Sequence, residues 1–306
     1  MSSMTTAEML LYSTMKVTTF EGGVASGSGT GFLYAIRSGE SDSIPLLITN
    51  KHVLEGADAF AVAFHLKDSR ASTEPNGKFW SLRVAFGDAD VVMHPDPTID
   101  LCAIPVGGLM NQLADQGKFV FEVSLDESLL PSDGQWDDFD AIEDVLMIGC
   151  PRGIYDEANN LPIVRRGTTA SSLTKRYNGK DEFLVDMACF PGSSGSPVVL
   201  YSTAGYLDKR SKTFRMGATR LYLLGILYSG PLVTNSGKIV LGHLPSVEVT
   251  TMMHLGYVIR SSILKQLANI IIAKYGLLPP SIPVISANEG TERQRSDPRP
   301  APAPLV

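Results

Sequence analysis

The sequence predicts an all-β chain of two β units, each a barrel or a sandwich, followed by a single C-terminal helix. Short runs of β-branched or alternating apolar residues, separated by Gly, Pro, Asp or Asn, predict the strands of both units. The first set covers residues 31–36, 46–49, 59–64 and 82–86, and the second covers 145–149, 183–187, 196–201, 222–228 and 255–259. An acidic stretch without Lys or Arg, at residues 124–144, separates the two sets and indicates a solvated connection.

These patterns divide the chain into a first β unit at residues 1–118, a linker at 119–144 and a second β unit at 145–260. A helix is predicted at 261–278, because apolar residues recur there at i, i+3 and i+4 between a candidate serine cap and Gly276. Residues 279–306 include the run PRPAPAP and few large apolar side chains, so we predict a disordered tail.

Composition excludes several functional classes. The 306 residues are 44% hydrophobic and carry a net charge of −6 without a basic cluster, which argues against a nucleic-acid partner. No apolar run approaches the roughly 18 residues of a membrane span, and the N-terminus lacks the pattern of a signal peptide, so we expect a cytoplasmic protein without membrane association. The three cysteines show no CxxC spacing, so we expect buried thiols and neither a metal nor a cofactor.

The segment FPGSSGSPVVL has the composition expected around a nucleophilic serine. Ser194 lies between Gly192 and Gly195, and these small neighbours leave its hydroxyl and the adjacent backbone amides accessible. Acyl transfer requires preorganised N–H donors for the tetrahedral oxyanion, and the amides of Gly192 and Ser194 are the candidates. A plain β-turn between two strands would show the same composition.

Two further segments supply the partners that such a serine needs. In LLITNKHVLEG, His52 follows an apolar strand and is a candidate general base. In HPDPTIDLCAIPV, Asp100 comes directly before an apolar strand and is a candidate for the acid that orients the histidine. The three residues together predict a His52, Asp100 and Ser194 catalytic triad.

The segments TNKHVLEGA, IDLCAIPV and GSSGSPVV resemble the three signature segments of the trypsin-like serine protease superfamily, in its His, Asp, Ser order. They are most similar to the bacterial HtrA-like branch. The resemblance implies a chymotrypsin-like fold of two antiparallel six-stranded β-barrels with a C-terminal helix, the first barrel bearing His52 and Asp100 and the second Ser194. It also implies a serine endopeptidase that hydrolyses protein or peptide substrates through an acyl-enzyme intermediate.

Two features depart from that family. Ser193 occupies the position where digestive members carry an aspartate that pairs with a new N-terminus after zymogen cleavage. The loop that forms the oxyanion hole must then be ordered by other contacts or by an activating protein partner. No HtrA-type PDZ domain is recognisable after the protease unit.

The resemblance also implies a pocket for the substrate side chain that precedes the scissile bond. No acidic residue is among the implied lining residues, so a basic side chain would be buried there without a counter-charge. We therefore expect a small or medium apolar side chain in the pocket, although Glu248 is predicted on a neighbouring loop. The implied substrate-binding residues are Ala188, Cys189, Phe190, Tyr228, Ser229, Gly230 and Gly256.

Three functional readings of the sequence remain open. A catalytically silent member of this fold would act as a peptide-binding pseudoprotease. An esterase of the α/β-hydrolase type is disfavoured, because its chain order of Ser, acid and His is absent. Within the protease reading, the chain is a candidate regulated intracellular effector.

Overall fold

The computed structural model describes residues 4–38, 42–230, 232–237 and 247–276. The predicted tail at 279–306 lies outside these residues, and so does the side chain of Glu248. Nineteen β-strands and four α-helices are assigned in the described part of the chain. The expectation of a mostly β protein with a C-terminal helix is confirmed.

The first unit is one nine-stranded sheet with three short helices. The helices are α1 (Thr6–Tyr12), α2 (Lys51–Leu54) and α3 (Gly107–Asp115). The strands are β1 (Thr14–Glu21), β2 (Val24–Ser38), β3 (Asp42–Thr49), β4 (Ala59–Lys67), β5 (Phe79–Ala85), β6 (Val92–Met93), β7 (Cys102–Pro105), β8 (Phe119–Val120) and β9 (Leu125–Asp126).

Pairing in this sheet follows the order β5, β4, β1, β2, β3, β7 and β6, with β8 on β4 and β9 parallel to β2. The unit therefore has more strands than the six expected. Its long strands alternate between core and surface, as in β4, where Phe60, Val62 and Phe64 are buried on one face. The two-residue strands β8 and β9 extend the first unit into the region predicted as linker.

The second unit contains a closed barrel of six strands, paired in the order β10, β11, β12, β19, β16 and β13. Two hairpins, β14 with β15 and β17 with β18, lie outside the barrel order. The barrel strands are β10 (Asp144–Gly149), β11 (Ile163–Thr169), β12 (Glu182–Asp186), β13 (Pro197–Ser202), β16 (Arg220–Ser229) and β19 (Leu255–Arg260). The hairpin strands are β14 (Gly205–Asp208), β15 (Thr213–Met216), β17 (Leu232–Gly237) and β18 (Val247–Met252).

The acidic connection is more ordered and more buried than its charge suggests. Trp136 and Phe139 belong to the core of the second barrel, with exposed fractions of 5% and 2%. Glu143, also buried, receives two hydrogen bonds from Arg220 of β16. The prediction of a solvated connection is therefore wrong for these residues, because their apolar and paired side chains fold onto the barrel.

Helix α4 (Ser262–Tyr275) closes the molecule. Its buried residues, including Leu264 and Leu267, join one apolar cluster with Phe32 of the first unit and Ile226 of the barrel. The helix ends at Gly276, whose φ of 61° is the left-handed conformation expected of a glycine stop. The Ser261 side chain makes no cap hydrogen bond. The shared cluster fixes both β units against one helix.

The connection between β10 and β11 also contacts the first unit. The Asn160 side chain donates from Nδ2 to the backbone carbonyl oxygen of Ala63 at 3.1 Å. The backbone carbonyl oxygen of Asn160 lies 3.0 Å from Nε2 of His65. Because a carbonyl oxygen only accepts, Nε2 carries the proton and donates. Burial lowers the pKa of His65, which keeps the ring neutral near pH 7. This connection therefore anchors the second unit on β4.

None of the helices in the described ranges has the length and apolar composition required to cross a membrane.

Loss of one partner of the Arg220 and Glu143 pair should destabilise the fold strongly, because the two side chains are only 13% and 7% exposed. We expect Arg220→Met to lower the free energy of unfolding by about 3 to 5 kcal/mol, since it leaves a buried carboxylate without its cation. Urea-induced unfolding followed by tryptophan fluorescence measures the change.

Arg166→Met is the matched control. Arg166 pairs with Asp144 at 2.6 Å, but the two side chains are 72% and 60% exposed. Removing this surface pair should change stability by less than about 1 kcal/mol. Equal effects of the two substitutions would contradict the assignment of Arg220 as a structural anchor.

Candidate active site

A cleft with a volume of about 570 Å³ runs between the two β units and contains His52 and Ser194. The first unit contributes the β1–β2 hairpin and helix α2, and the second contributes residues before β13 and the end of β16. The lining residues are Thr19, Glu21, Ser26, Gly27, Ser28, His52, Val53, Glu55, Gly56, Cys189, Phe190, Pro191, Gly192, Ser194, Leu227, Tyr228, Ser229 and Gly230.

His52 and Asp100 are paired directly. Helix α2 begins where β3 ends and presents His52, whose Nδ1 is hydrogen-bonded to Oδ2 of Asp100. The second carboxylate oxygen accepts from the backbone amide of His52 at 3.1 Å. Asn50 donates from Nδ2 to the backbone carbonyl of Asp100 at 2.6 Å. The carboxylate is thus held on both oxygens and its backbone is fixed as well.

The pKa of Asp100 reflects two opposing effects. Partial burial raises the pKa, whereas the hydrogen bonds and charge of His52 and the amides of His52 and Lys51 lower it, and the lowering prevails. Asp100 therefore stays ionised well below neutral pH. An ionised carboxylate on Nδ1 favours the tautomer with its proton on Nδ1, which leaves Nε2 free to accept a proton.

Ser194 shares the cleft with His52 but is hydrogen-bonded elsewhere. Its Oγ donates to the backbone carbonyl of Tyr228 at 3.3 Å. Within the described ranges, no hydrogen bond joins Ser194 Oγ to the His52 ring. A long bond of 3.3 Å holds the hydroxyl weakly, so rotation about one side-chain bond releases it.

The backbone around Ser194 has the geometry of a tight loop. Gly192 and Gly195 have φ values of 87° and 88°, in the region that favours glycine. A side chain at Gly195 would collide with the carbonyl oxygen of Thr30 on β2. Among the residues that the structure describes, the amides of Gly192 and Ser194 donate to no protein acceptor. Both residues line the cleft, so their backbone amides are candidates to donate to a group bound there.

The predicted substrate-binding residues divide into two groups. Cys189, Phe190 and the segment 228–230 line the cleft. Ala188 and Gly256 do not belong to its wall. A β-carbon at Gly256 would lie 2.5 Å from Cδ1 of Leu227 and 2.6 Å from the Cys189 sulfur, so these two side chains fill the space in front of the glycine.

Several residues of the site escaped the sequence analysis. Leu227 lies in a strand that was predicted, but nothing in its local pattern distinguishes the wall of a cleft from the core. Glu21 and Glu55 bring negative charge to the first-unit side of the cleft. The Tyr228 hydroxyl donates to the buried Glu182 at 2.6 Å, which fixes the strand end that carries Ser229. These contacts join residues far apart in the chain and leave no local signal.

Over the residues for which side chains are described, no cluster of three or more His, Cys, Asp or Glu residues could hold a metal ion. The cysteines Cys102, Cys150 and Cys189 are free and buried. Burial raises the pKa of each of the three thiols to about 12.

A two-unit β fold with a closed six-stranded barrel, a second sheet and a C-terminal helix defines the chymotrypsin-like class of proteins. Residues 29–205 match the trypsin-like peptidase domain, and because this match spans more than half of the sequence, the chain belongs to that family. Among solved structures, the crystal structure of the serine endoprotease from Yersinia pestis is similar at 14% identity, with a TM-score of 0.47 over 90% of this chain and 69% of that chain. No curated protein matches the sequence.

The three buried thiols, Cys102, Cys150 and Cys189, provide a test of how tightly the core packs around them. Because the folded pKa of about 12 exceeds the unfolded value of about 8.5, protonated thiols contribute stability that is present below pH 8.5 and is lost as pH rises towards 12. At pH 8 we expect Ellman's reagent to modify no cysteine rapidly in the native protein and all three after denaturation.

A rapidly reacting native thiol would contradict the packing, and Cys189→Ala would show whether that thiol is the one in the cleft wall.

Proposed function

We propose that the chain is a serine endopeptidase in which Ser194 is the nucleophile, His52 the general base and Asp100 the residue that orients it. The observation that carries the proposal is the presence of Ser194 in one cleft with a histidine whose Nδ1 is hydrogen-bonded to a partly buried carboxylate. This arrangement is the one that activates a serine hydroxyl of ordinary acidity. The substrates are proteins or peptides.

The proposed reaction has two stages. Ser194 Oγ attacks the carbonyl carbon of the scissile peptide while its proton passes to Nε2 of His52. The amides of Gly192 and Ser194 donate to the oxyanion, and His52 then gives the proton to the leaving amine. Water then attacks the acyl carbon while His52 takes a proton from it, and the bond from that carbon to Ser194 Oγ breaks as His52 returns the proton to Oγ, which releases the new carboxyl group. Asp100 keeps its charge throughout and stabilises the protonated imidazole.

In this mechanism the bond from Ser194 to Tyr228 is a resting position. The hydroxyl must turn from the Tyr228 carbonyl towards His52 before it can lose its proton. Catalytic hydrogen bonds are often long or misaligned without substrate and shorten in the complex. A substrate backbone that adds as a strand beside Ser229 and Gly230 would occupy this side of the cleft and favour that rotation.

The pocket before the scissile bond should accept a small apolar side chain. Leu227 and Cys189 approach Gly256 so closely that little depth is left between them. A large aromatic side chain would require both to move, at the cost expected for overpacking. Among the described residues that line the cleft, the acids Glu21 and Glu55 belong to the first unit, so none of these acids lies beside Cys189 to pair with a basic side chain.

The first test is labelling of the purified protein with a fluorophosphonate at pH 7.5. We expect covalent labelling of the wild type at Ser194. The reaction should be at least 1,000-fold slower for Ser194→Ala and His52→Ala, because each substitution removes a member of the proposed catalytic triad. Intact mass and peptide mapping locate the adduct.

Labelling that persists in Ser194→Ala would assign the nucleophile to another residue. A folded wild type that resists labelling would favour the alternative of a silent, peptide-binding member of this fold.

Side-chain preference can be tested with two peptide substrates that carry alanine or phenylalanine before the scissile bond. We expect the wild type to prefer alanine by at least tenfold in kcat/KM, and Leu227→Ala to reduce or reverse the ratio by opening the pocket. Leu224→Ala is the control, since Leu224 is buried in the same core cluster on the same strand but does not line the cleft.

The ratio of the two substrates is measured within one enzyme sample, so a loss of folded protein does not change it. A wild type that cleaves after phenylalanine as fast as after alanine would reject the shallow pocket.

A further inference from the structure

Among the contacts that hold the loop of the candidate oxyanion donors, two fix the carbonyl oxygens of Pro191 and Gly192. The carbonyl oxygen of Pro191 accepts from the backbone amide of Arg152 at 2.6 Å. A trans peptide is planar and directs its C=O and N–H to opposite sides. The amide of Gly192 therefore points away from Arg152, and Gly192 lines the cleft. This first contact sets the direction of one oxyanion donor.

The second contact comes from a side chain of the first unit. The hydroxyl of Thr30, on β2, donates to the carbonyl oxygen of Gly192 at 2.9 Å. The Thr30 hydroxyl oxygen itself accepts a hydrogen bond from the backbone amide of Cys150 at 2.9 Å. Thr30 is fully buried, so water cannot replace either partner. One hydroxyl thus joins the loop of Gly192 to the segment that supplies Arg152.

Rotation of the Gly192 peptides would break both contacts. If the peptide between Pro191 and Gly192 turned over, its carbonyl would occupy the place of the amide and the Arg152 amide would lose its acceptor. If the Gly192 carbonyl moved, the buried Thr30 hydroxyl would have no acceptor. Unsatisfied buried donors are costly, so the conformation with the amide towards the cleft is favoured.

The segment that supplies Arg152 is itself constrained. Arg152 and Gly153 have φ values of 51° and 70°, and the Gly153 amide donates to the Cys150 carbonyl at 2.9 Å. The Arg152 guanidinium lies 5.3 Å from the centre of the Phe190 ring. A β-carbon on Gly192 would lie 2.8 Å from the Arg152 nitrogen. The two segments therefore fit closely only with glycine at 192.

Ser193 cannot replace the aspartate that pairs with a new N-terminus in the digestive members of the family, because a serine carries no charge. It is fully buried, its amide donates to the Phe190 carbonyl at 3.0 Å, and its hydroxyl stays within the same turn. No ion pair of Ser193 with a chain terminus is available to order the loop. The hydrogen bonds to the Pro191 and Gly192 carbonyls come from Arg152 and Thr30, both internal to the chain.

We propose that Thr30 is a positioning residue whose hydroxyl holds the oxyanion loop in its donor-ready conformation in the free protein. The inference rests on the proposed function, since it assigns a role to that loop in acylation of Ser194. It implies that activity needs neither cleavage of the chain nor a bound activating protein. Thr30 contacts no substrate; it acts through the peptide of Gly192.

The test compares three variants in fluorophosphonate labelling, with the limiting rate of phosphonylation and the inhibitor concentration at half-saturation measured separately. Thr30→Val keeps the branched shape and removes the hydroxyl, whereas Thr30→Ser keeps the hydroxyl. Loss of one oxyanion donor slows acyl transfer by about 100-fold to 1,000-fold in other serine peptidases. We expect Thr30→Val to lower the limiting rate at least tenfold with half-saturation changed less than threefold, and Thr30→Ser to restore most of it.

Thr169→Val is the matched control. Thr169 on β11 is also buried, and its hydroxyl accepts from the backbone amide of Glu143 at 3.0 Å. Both valine variants should unfold at a lower temperature, but only Thr30→Val should label slowly. A positioning role changes the limiting rate, whereas a merely structural role would affect both variants alike.

The outcomes separate the two proposals. Rapid labelling of Thr30→Val, or equal slowing of Thr169→Val, would overturn the role of Thr30 and leave the protease intact. If the wild type is labelled only after another protein is added, the inference of a preformed oxyanion hole is overturned, but the proposed function is not. A wild type that resists labelling under all conditions would overturn the proposed function together with the inference.

Discussion

The contact between strand β2 and the loop of Ser194 is the constraint on which the site depends. The amide of Thr30 donates to the Ser194 carbonyl at 2.8 Å, and the Thr49 hydroxyl donates to the Thr30 carbonyl at 2.7 Å. His52 and Asp100 are carried by the first unit and Ser194 by the second. A backbone hydrogen bond between β2 and the nucleophile's own residue therefore fixes the separation of the two units at the point where the chemistry is proposed. The apolar cluster of helix α4 also joins residues of both units.

Much of the fold could be predicted, because strands that bury one or both faces produce short apolar runs. The runs at residues 59–64 and 255–259 lie within β4 and β19, and the helix ends at the glycine that the sequence indicated. The acidic connection was misjudged, because net charge describes a segment as a whole while burial is decided side chain by side chain. Trp136 reaches the core although the residues on either side of it are not fully buried.

Site residues could be predicted where a short sequence segment identifies them, and not where their role depends on residues distant in the chain. His52, Asp100 and Ser194 each stand in a distinctive short segment, and the structure brings all three to one cleft region. Thr30 donates to a residue 162 positions away, and no local pattern records such a bond. The depth of the pocket likewise depends on Leu227 and Cys189 meeting in front of Gly256, which requires two strands and a loop to be assembled first. Residues that act through others are therefore the ones that sequence analysis misses.

The connection between β10 and β11 gives the site an unusual vulnerability. Near its start Arg152 supports the Gly192 peptide, and near its end Asn160 is bonded to β4. A single cut by another protease between these two residues would leave every triad residue and every barrel strand intact. The cut would separate Arg152 from the Asn160 anchor on β4. The hydrogen bond from the Arg152 amide to the Pro191 carbonyl would then be held less firmly. Under the proposed function, such a cut would lower activity without unfolding the barrel and without modifying His52, Asp100 or Ser194.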